Sequence, residues 1–140
     1  MRYLALDLGD KRTGLAVGDD ELRLASPLRV IERPIAQMER LLDDIARAID
    51  EHKPDALVVG LPLNMDDTEG PRARLVRDVA ARIEARTSLA VHFQDERLTS
   101  SAADWDMSQS GLTHGQKKQR RDSLAAAAIL RDFLDRPSIG

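Results

Sequence analysis

The chain contains no cysteine, which excludes a disulfide framework and any thiolate metal site. Aromatic residues are nearly as scarce, with one Trp, one Tyr and two Phe among 140 residues. A base-stacking platform of the kind that holds single-stranded nucleic acid has too little material to be built from. The three histidines show no ligand spacing, so nothing indicates a histidine-based zinc site. No apolar run approaches the ~18 residues of a membrane span. The sequence opens in strand-like residues rather than a signal-peptide core, and a cytoplasmic protein is the expectation. Positive charge is not in excess either, since the formal net charge is −3, which argues against coating nucleic acid by bulk electrostatics. The charge is unevenly spread, however. Lys117, Lys118, Arg120 and Arg121 fall within five residues, and a local basic patch can track phosphates whatever the total.

What is present centres on residues 4–19, LALDLGDKRTGLAVGD. Residues 3–8 form an apolar run interrupted only by Asp7, one residue before its end. Gly9 and Asp10 are turn formers, and Gly14 opens a return segment, so the stretch reads as two antiparallel strands. A lone carboxylate at the centre of a sheet costs several kcal/mol unless it is compensated. Compensation can come from a hydrogen-bond network, from Lys11 or Arg12 nearby, or from a metal ion. The metal ion is the reading adopted.

Residues 22–31 are a third strand candidate, demoted to an edge by Pro27. Met38, Leu41, Leu42, Ile45 and Ile49 recur on one stripe of an amphipathic helix that Pro54 stops. Residues 55–61, DALVVGL, are a short apolar run between a helix and a helix, which is the pattern of a buried parallel strand. A second helix runs from Pro71 to about Arg86, and a strand at 89–93 leads into Gln94, Asp95 and Glu96. Residues 99–107 suggest a short helix, residues 108–119 a mobile loop, and the stripe from Ala126 to Leu134 a last helix. Its four consecutive alanines allow close approach to a sheet. The order predicts an α/β fold in one domain spanning residues 1–140: a mixed five-stranded sheet, antiparallel meander plus two parallel strands, flanked by helices. That is the outline of the ribonuclease H fold.

Three carboxylates sit at element ends: Asp7 near the end of the first strand, Glu96 just past the last strand, and Asp122 at the expected start of the last helix. Neighbouring strand ends are about 5 Å apart, so the three can converge. Oxygen donors without His or Cys suit Mg²⁺ or Mn²⁺. Paired ions about 4 Å apart activate water and stabilise the leaving oxygen of a phosphodiester. Each residue also has a plainer reading. Asp7 suits a turn, Glu96 can pair with Arg97, and Asp122 is favourable at a helix N-terminus. Asp95 competes with Glu96 by position, although alternation sets Glu96 with the polar Gln94 and His92. The basic cluster can be merely solubilising. Asn64 is either a turn residue or, after a central parallel strand, a residue where ligands bind.

The blocks LALDLGDKRTGLAVGD, VVGLPLNMDDTEGP, DERLTSSAA and RRDSLAAAAIL resemble, in order and spacing, the YqgF/RuvX family. These are small bacterial ribonuclease H-like proteins with proposed roles as pre-rRNA nucleases and as Holliday junction resolvase homologues. The resemblance implies a catalytic, metal-binding triad of Asp7, Glu96 and Asp122. It also implies divalent-metal-dependent cleavage of structured nucleic acid and, as the cellular task, 5′-end maturation of the small-subunit ribosomal RNA. The nucleic-acid-binding residues expected beside the triad are Lys11, Arg12, Asn64, Arg97, Lys117, Lys118, Arg120 and Arg121. Ribosomal precursor particles are candidate partners, and a monomer and a homodimer both stay open. Two other classes compete. The turn DLGDKRTG also resembles the phosphate-binding hairpin of actin-like ATPases, which however place nucleotide between duplicated domains. A module that grips nucleic acid without cutting it has the same sequence features.

Overall fold

The structure, a computed structural model, describes residues 1–96 and 114–135, with side chains on the last stretch from 121 onward. Its elements are β1 (Arg2–Leu8), β2 (Thr13–Asp19), β3 (Leu24–Ile31), α1 (Met38–His52), β4 (Ala56–Leu61), α2 (Pro71–Thr87), β5 (Ala90–Asp95) and α3 (His114–Leu134). The five strands form one sheet in the order β3-β2-β1-β4-β5. The β1–β2 and β2–β3 pairs are antiparallel, while β1–β4 and β4–β5 are parallel. This is the mixed sheet expected from the order of elements, and β3, with Pro27, is on an edge.

The sheet separates two cores. On one face Leu4, Leu6, Leu8, Leu15, Leu57, Val59 and Leu61 meet the apolar stripes of α1 and α2. On the other face Tyr3, Ala5, Ala16, Ala56 and Val58 meet Ala126, Ala127, Ile129 and Leu130 of α3. The alternation of β1 places Asp7 on this second face with Tyr3 and Ala5. β4 is buried along its whole length, as a central parallel strand should be. Helix ends follow the local chemistry. Lys53 closes α1 in the left-handed conformation just before Pro54, and α2 begins with Pro71 at its first position.

One expectation fails. Residues 114–119 are not loop but the first turns of α3, and Asp122 therefore lies well inside that helix rather than opening it. The run QKKQ after Gly115 holds good helix formers and no proline, but it carries no apolar stripe. The short helix expected at 99–107 and the loop residues 108–113 lie outside the described residues.

Candidate active site

The site is assembled at the carboxyl ends of the parallel strands. Asp7 is the penultimate residue of β1 and Gly60 the penultimate residue of β4. Leu6 pairs with Val59, so Asp7 and Gly60 are neighbours one step further along. On its other side Asp7 pairs with Gly14 of β2. The carboxylate thus stands between two glycines on the α3 face, and each gap is used by something else. A Cβ at Gly60 would lie 2.5 Å from Glu96 Oε1 and 2.6 Å from Ile129 Cδ1. Glu96 therefore reaches across β4 through the space a side chain would fill. A Cβ at Gly14 would collide with the backbone carbonyl of Asp122, so α3 comes down onto the sheet there.

Glu96 meets Asp7, and the two carboxyls are hydrogen-bonded to each other. Burial pushes Asp7 above the ordinary carboxylate range, against the pull of the bond to Glu96 and of the Arg72 charge. Glu96 is raised to about 8, first by burial, then by its hydrogen bond to Asp7 and the charge of Asp7. Both shifts favour a proton held between the two carboxyls. Two carboxyls that must share a proton to coexist are a place where a cation is welcome.

Asp122 faces the same space from α3. A cavity of about 200 Å³ is lined by Asp7, Gly9, Asp10, Lys11, Arg12 and Asp122. Arg12 lies across its wall, 3.6 Å from the Asp122 carboxylate and 3.8 Å from Glu32. Among the described residues no three acidic or imidazole side chains close into a ready-made metal cage. Asp7 and Glu96 touch, and Asp122 shares the cavity with Asp7 while held toward Arg12. The donor set, carboxylates without His or Cys, fits a hard divalent cation. One further oxygen is in reach of that face: Gln94, 3% exposed, has a side-chain carbonyl oxygen with no hydrogen-bond partner among the described residues. It sits level with Gly60 in the β4–β5 register.

The remaining expected residues are dispersed. Lys11 is exposed on the cavity wall. Asn64 accepts and donates within its own loop: its Nδ2 donates to Thr68 Oγ1 at 3.0 Å, and its backbone carbonyl accepts from Asp67 at 3.0 Å. These bonds order the loop that follows β4. Lys117, Lys118 and Arg120 fall on the first turns of α3, and Arg121 is exposed there. Arg97 lies outside the described residues. Sequence reasoning gave Gly14 only as the opening of the return strand and Gln94 only as a polar position, and it passed over Gly60 and Arg72. Gly60 carried a signal, a glycine inside an otherwise apolar buried strand, which marks a close approach.

A family model described as "RuvX: Holliday junction resolvase" matches residues 1–136. The chain belongs to the RuvX family. It is 43% identical over 137 residues to a protein of Anaeromyxobacter sp. (strain K), covering 97% of this chain and 98% of that one. A protein of Maridesulfovibrio salexigens is 37% identical over 136 residues, covering 97% and 99%. Both carry the name "Putative pre-16S rRNA nuclease". Among solved structures, the chain superposes on Thermus thermophilus RuvC in complex with a Holliday junction substrate with a TM-score of 0.61. Identity there is 12%, with 94% of this chain and 91% of that one covered. Fowlpox virus resolvase, complexed with Holliday junction DNA, gives a TM-score of 0.61 at 10% identity, covering 96% and 97%. At such identities the likeness is one of fold alone, the ribonuclease H-like fold expected from the order of elements.

Proposed function

We propose that the protein is a divalent-metal-dependent nuclease that hydrolyses phosphodiester bonds in structured nucleic acid, with 5′-end maturation of pre-16S rRNA as its task. The single observation that carries this is the Asp7–Glu96 pair, two half-buried carboxyls in direct contact at the strand ends. The relatives' names supply the substrate. Asp7, Glu96 and Asp122 are the catalytic residues and would hold Mg²⁺ or Mn²⁺. Such an ion, when bound, supplies an activated water at neutral pH and charge stabilisation for the leaving oxygen.

The chain's own residues do the rest. Deprotonated, Asp7 and Glu96 would offer two oxygen donors to such an ion, and Asp122 would offer a third from α3. Arg12 and Lys11 line the same cavity as Asp7 and Asp122, where both can meet a substrate phosphate. Lys117, Lys118, Arg120 and Arg121 extend the contact along α3, and Asn64 and Arg97 are the further nucleic-acid-binding residues of this reading. Resolution of four-way DNA junctions is the second reading, supported by the description of the family itself. Cutting two symmetric strands would then call for a homodimer, whereas rRNA trimming suits a monomer.

The test is direct. The protein is incubated with a stem–loop RNA bearing a single-stranded 5′ extension and with a four-way DNA junction, in Mg²⁺, Mn²⁺ or EDTA. Metal-dependent cleavage is expected from the parent, and near-complete loss in Asp7→Asn and Glu96→Gln. Cleavage that persists in EDTA or in Asp7→Asn rejects the site. Neutralising the four basic residues of α3 is expected to weaken binding and flatten its salt dependence.

A further inference from the structure

α2 starts at Pro71, and its second residue points back across the end of β1. Arg72 donates through one guanidinium nitrogen to the backbone carbonyl of Leu8 at 2.6 Å and through the other to the carboxylate of Asp10. The two contacts differ in kind. Leu8 directly follows Asp7, and its carbonyl is a fixed, part-buried anchor. Asp10, by contrast, has a side chain 83% exposed, whereas that of Arg72 is 33% exposed. A pair with so exposed a carboxylate contributes little to stability. Its geometry does something else: it holds a part-exposed guanidinium, oriented by the backbone, against Asp10, which itself lines the cavity together with Asp7 and Asp122. A carboxylate and a phosphodiester are equivalent partners for such a guanidinium. Arg72 is also close enough to Asp7 and Glu96 for its charge to act on both.

We propose that Arg72 is a substrate-binding residue that grips a backbone phosphate of the nucleic acid, and that Asp10 occupies its outer edge as an internal mimic which the phosphate displaces. The assignment rests on the nuclease reading, and it gives two adjacent residues opposite effects. Removing the grip weakens binding, and removing the mimic tightens it. A purely structural tie between α2 and the 9–12 turn would make both losses act in the same direction.

The experiment is fluorescence anisotropy with a fluorescein-labelled RNA stem–loop carrying a 5′ extension and with a labelled four-way DNA junction. Ca²⁺ replaces Mg²⁺ so that no strand is cut. Arg72→Gln is expected to weaken binding about tenfold and to lower the salt slope by about one phosphate contact. Asp10→Asn is expected to tighten it about two- to fivefold. Combining them distinguishes a specific mimic from general charge repulsion: Asp10→Asn should have no effect once Arg72 is Gln. Tightening of equal size in both backgrounds overturns the proposal, as does unchanged or weakened binding by Asp10→Asn alone. Asp10 is an exposed turn residue, so its variant remains informative even if Arg72→Gln is unstable. Failure of the parent to bind either probe strikes the nuclease reading itself and is recognisable as such.

Discussion

The two faces of the sheet are made of different side chains and hold their helices differently. Against α1 and α2 the strands present Leu, Ile and Val, and the helices answer with the same residues. Against α3 they present Ala and Gly around Tyr3 and Val58, and α3 answers with a run of alanines. Large aliphatic residues keep backbones apart and bury much area per residue. Small ones let a helix backbone reach the strands. The carboxylates are all on the second face or above it, because only there can groups from three separate elements come within contact of one another. One face is therefore a core in the ordinary sense, and the other trades buried area for proximity.

The sharpest break in that division is Gly14→Ala. The added methyl meets the backbone of Asp122 and Ser123, and backbone cannot swing aside. α3 must lift from β2, which removes both packing and the position of Asp122. A loss of about 3 kcal/mol is expected, together with loss of cleavage even under conditions where the variant is folded. Urea denaturation and a cleavage assay on the folded fraction read the two effects. Retained stability would mean that α3 does not need its close approach.

On the opposite face the effects should separate. Leu57 is fully buried among the aliphatic residues facing α1 and α2, far from any carboxylate contact. Leu57→Ala is expected to cost about 2–5 kcal/mol, lowering the unfolding midpoint while leaving cleavage per folded molecule unchanged. A fall in specific activity as large as that of a site variant would show that the two faces are not independent.

Gly60→Ala is the complementary case. Here the nearest atoms the methyl meets belong to Glu96 and the tip of Ile129, flexible side chains that can move away. Stability should change by no more than about 1 kcal/mol, yet Glu96 is driven off Asp7. Displacement of that order at a reacting centre costs about 10²-fold in rate. Unfolding and cleavage measured side by side would decide it; full activity would mean that Glu96 reaches Asp7 by another route.

How much of this was legible beforehand follows from what kind of signal each feature leaves. The apolar run of β1, the stripe of α1 and the proline-bounded β4 announced the sheet order, and Pro27 announced the edge, because each expresses burial or a missing donor. Asp7 and Glu96 were set near each other by their places at neighbouring strand ends, and parity served only to prefer Glu96 to Asp95. Gly14 and Gly60 were harder. A glycine's meaning lies in what occupies the space it leaves, and the occupants, Asp122 and Glu96, are more than thirty residues away in sequence. Arg72 looked like any charged residue on an amphipathic helix until the end of β1 was set beside it. The start of α3 was missed because residues 114–119 carry no apolar stripe, and periodicity is silent where only propensity speaks.

The smallest expected effect tests the chemistry of the second face without altering its shape. In the metal-free protein Glu96 titrates near 8, against 4.5 for an ordinary glutamate. Between those values the native state holds a proton that the unfolded chain has released, so stability falls as pH rises. The contribution is fully present below about 4.5 and lost as pH passes through about 8. Thermal unfolding in EDTA should therefore show a midpoint that declines across this window by a few degrees more in the parent than in Glu96→Gln, which has no proton to lose. Adding Mn²⁺ should reverse the slope, because the ion and the proton compete for the same oxygens and binding tightens as the proton leaves. If the midpoints of the parent and Glu96→Gln run parallel across the window in EDTA, Glu96 is solvated like a surface carboxylate and the contact with Asp7 is not made in solution.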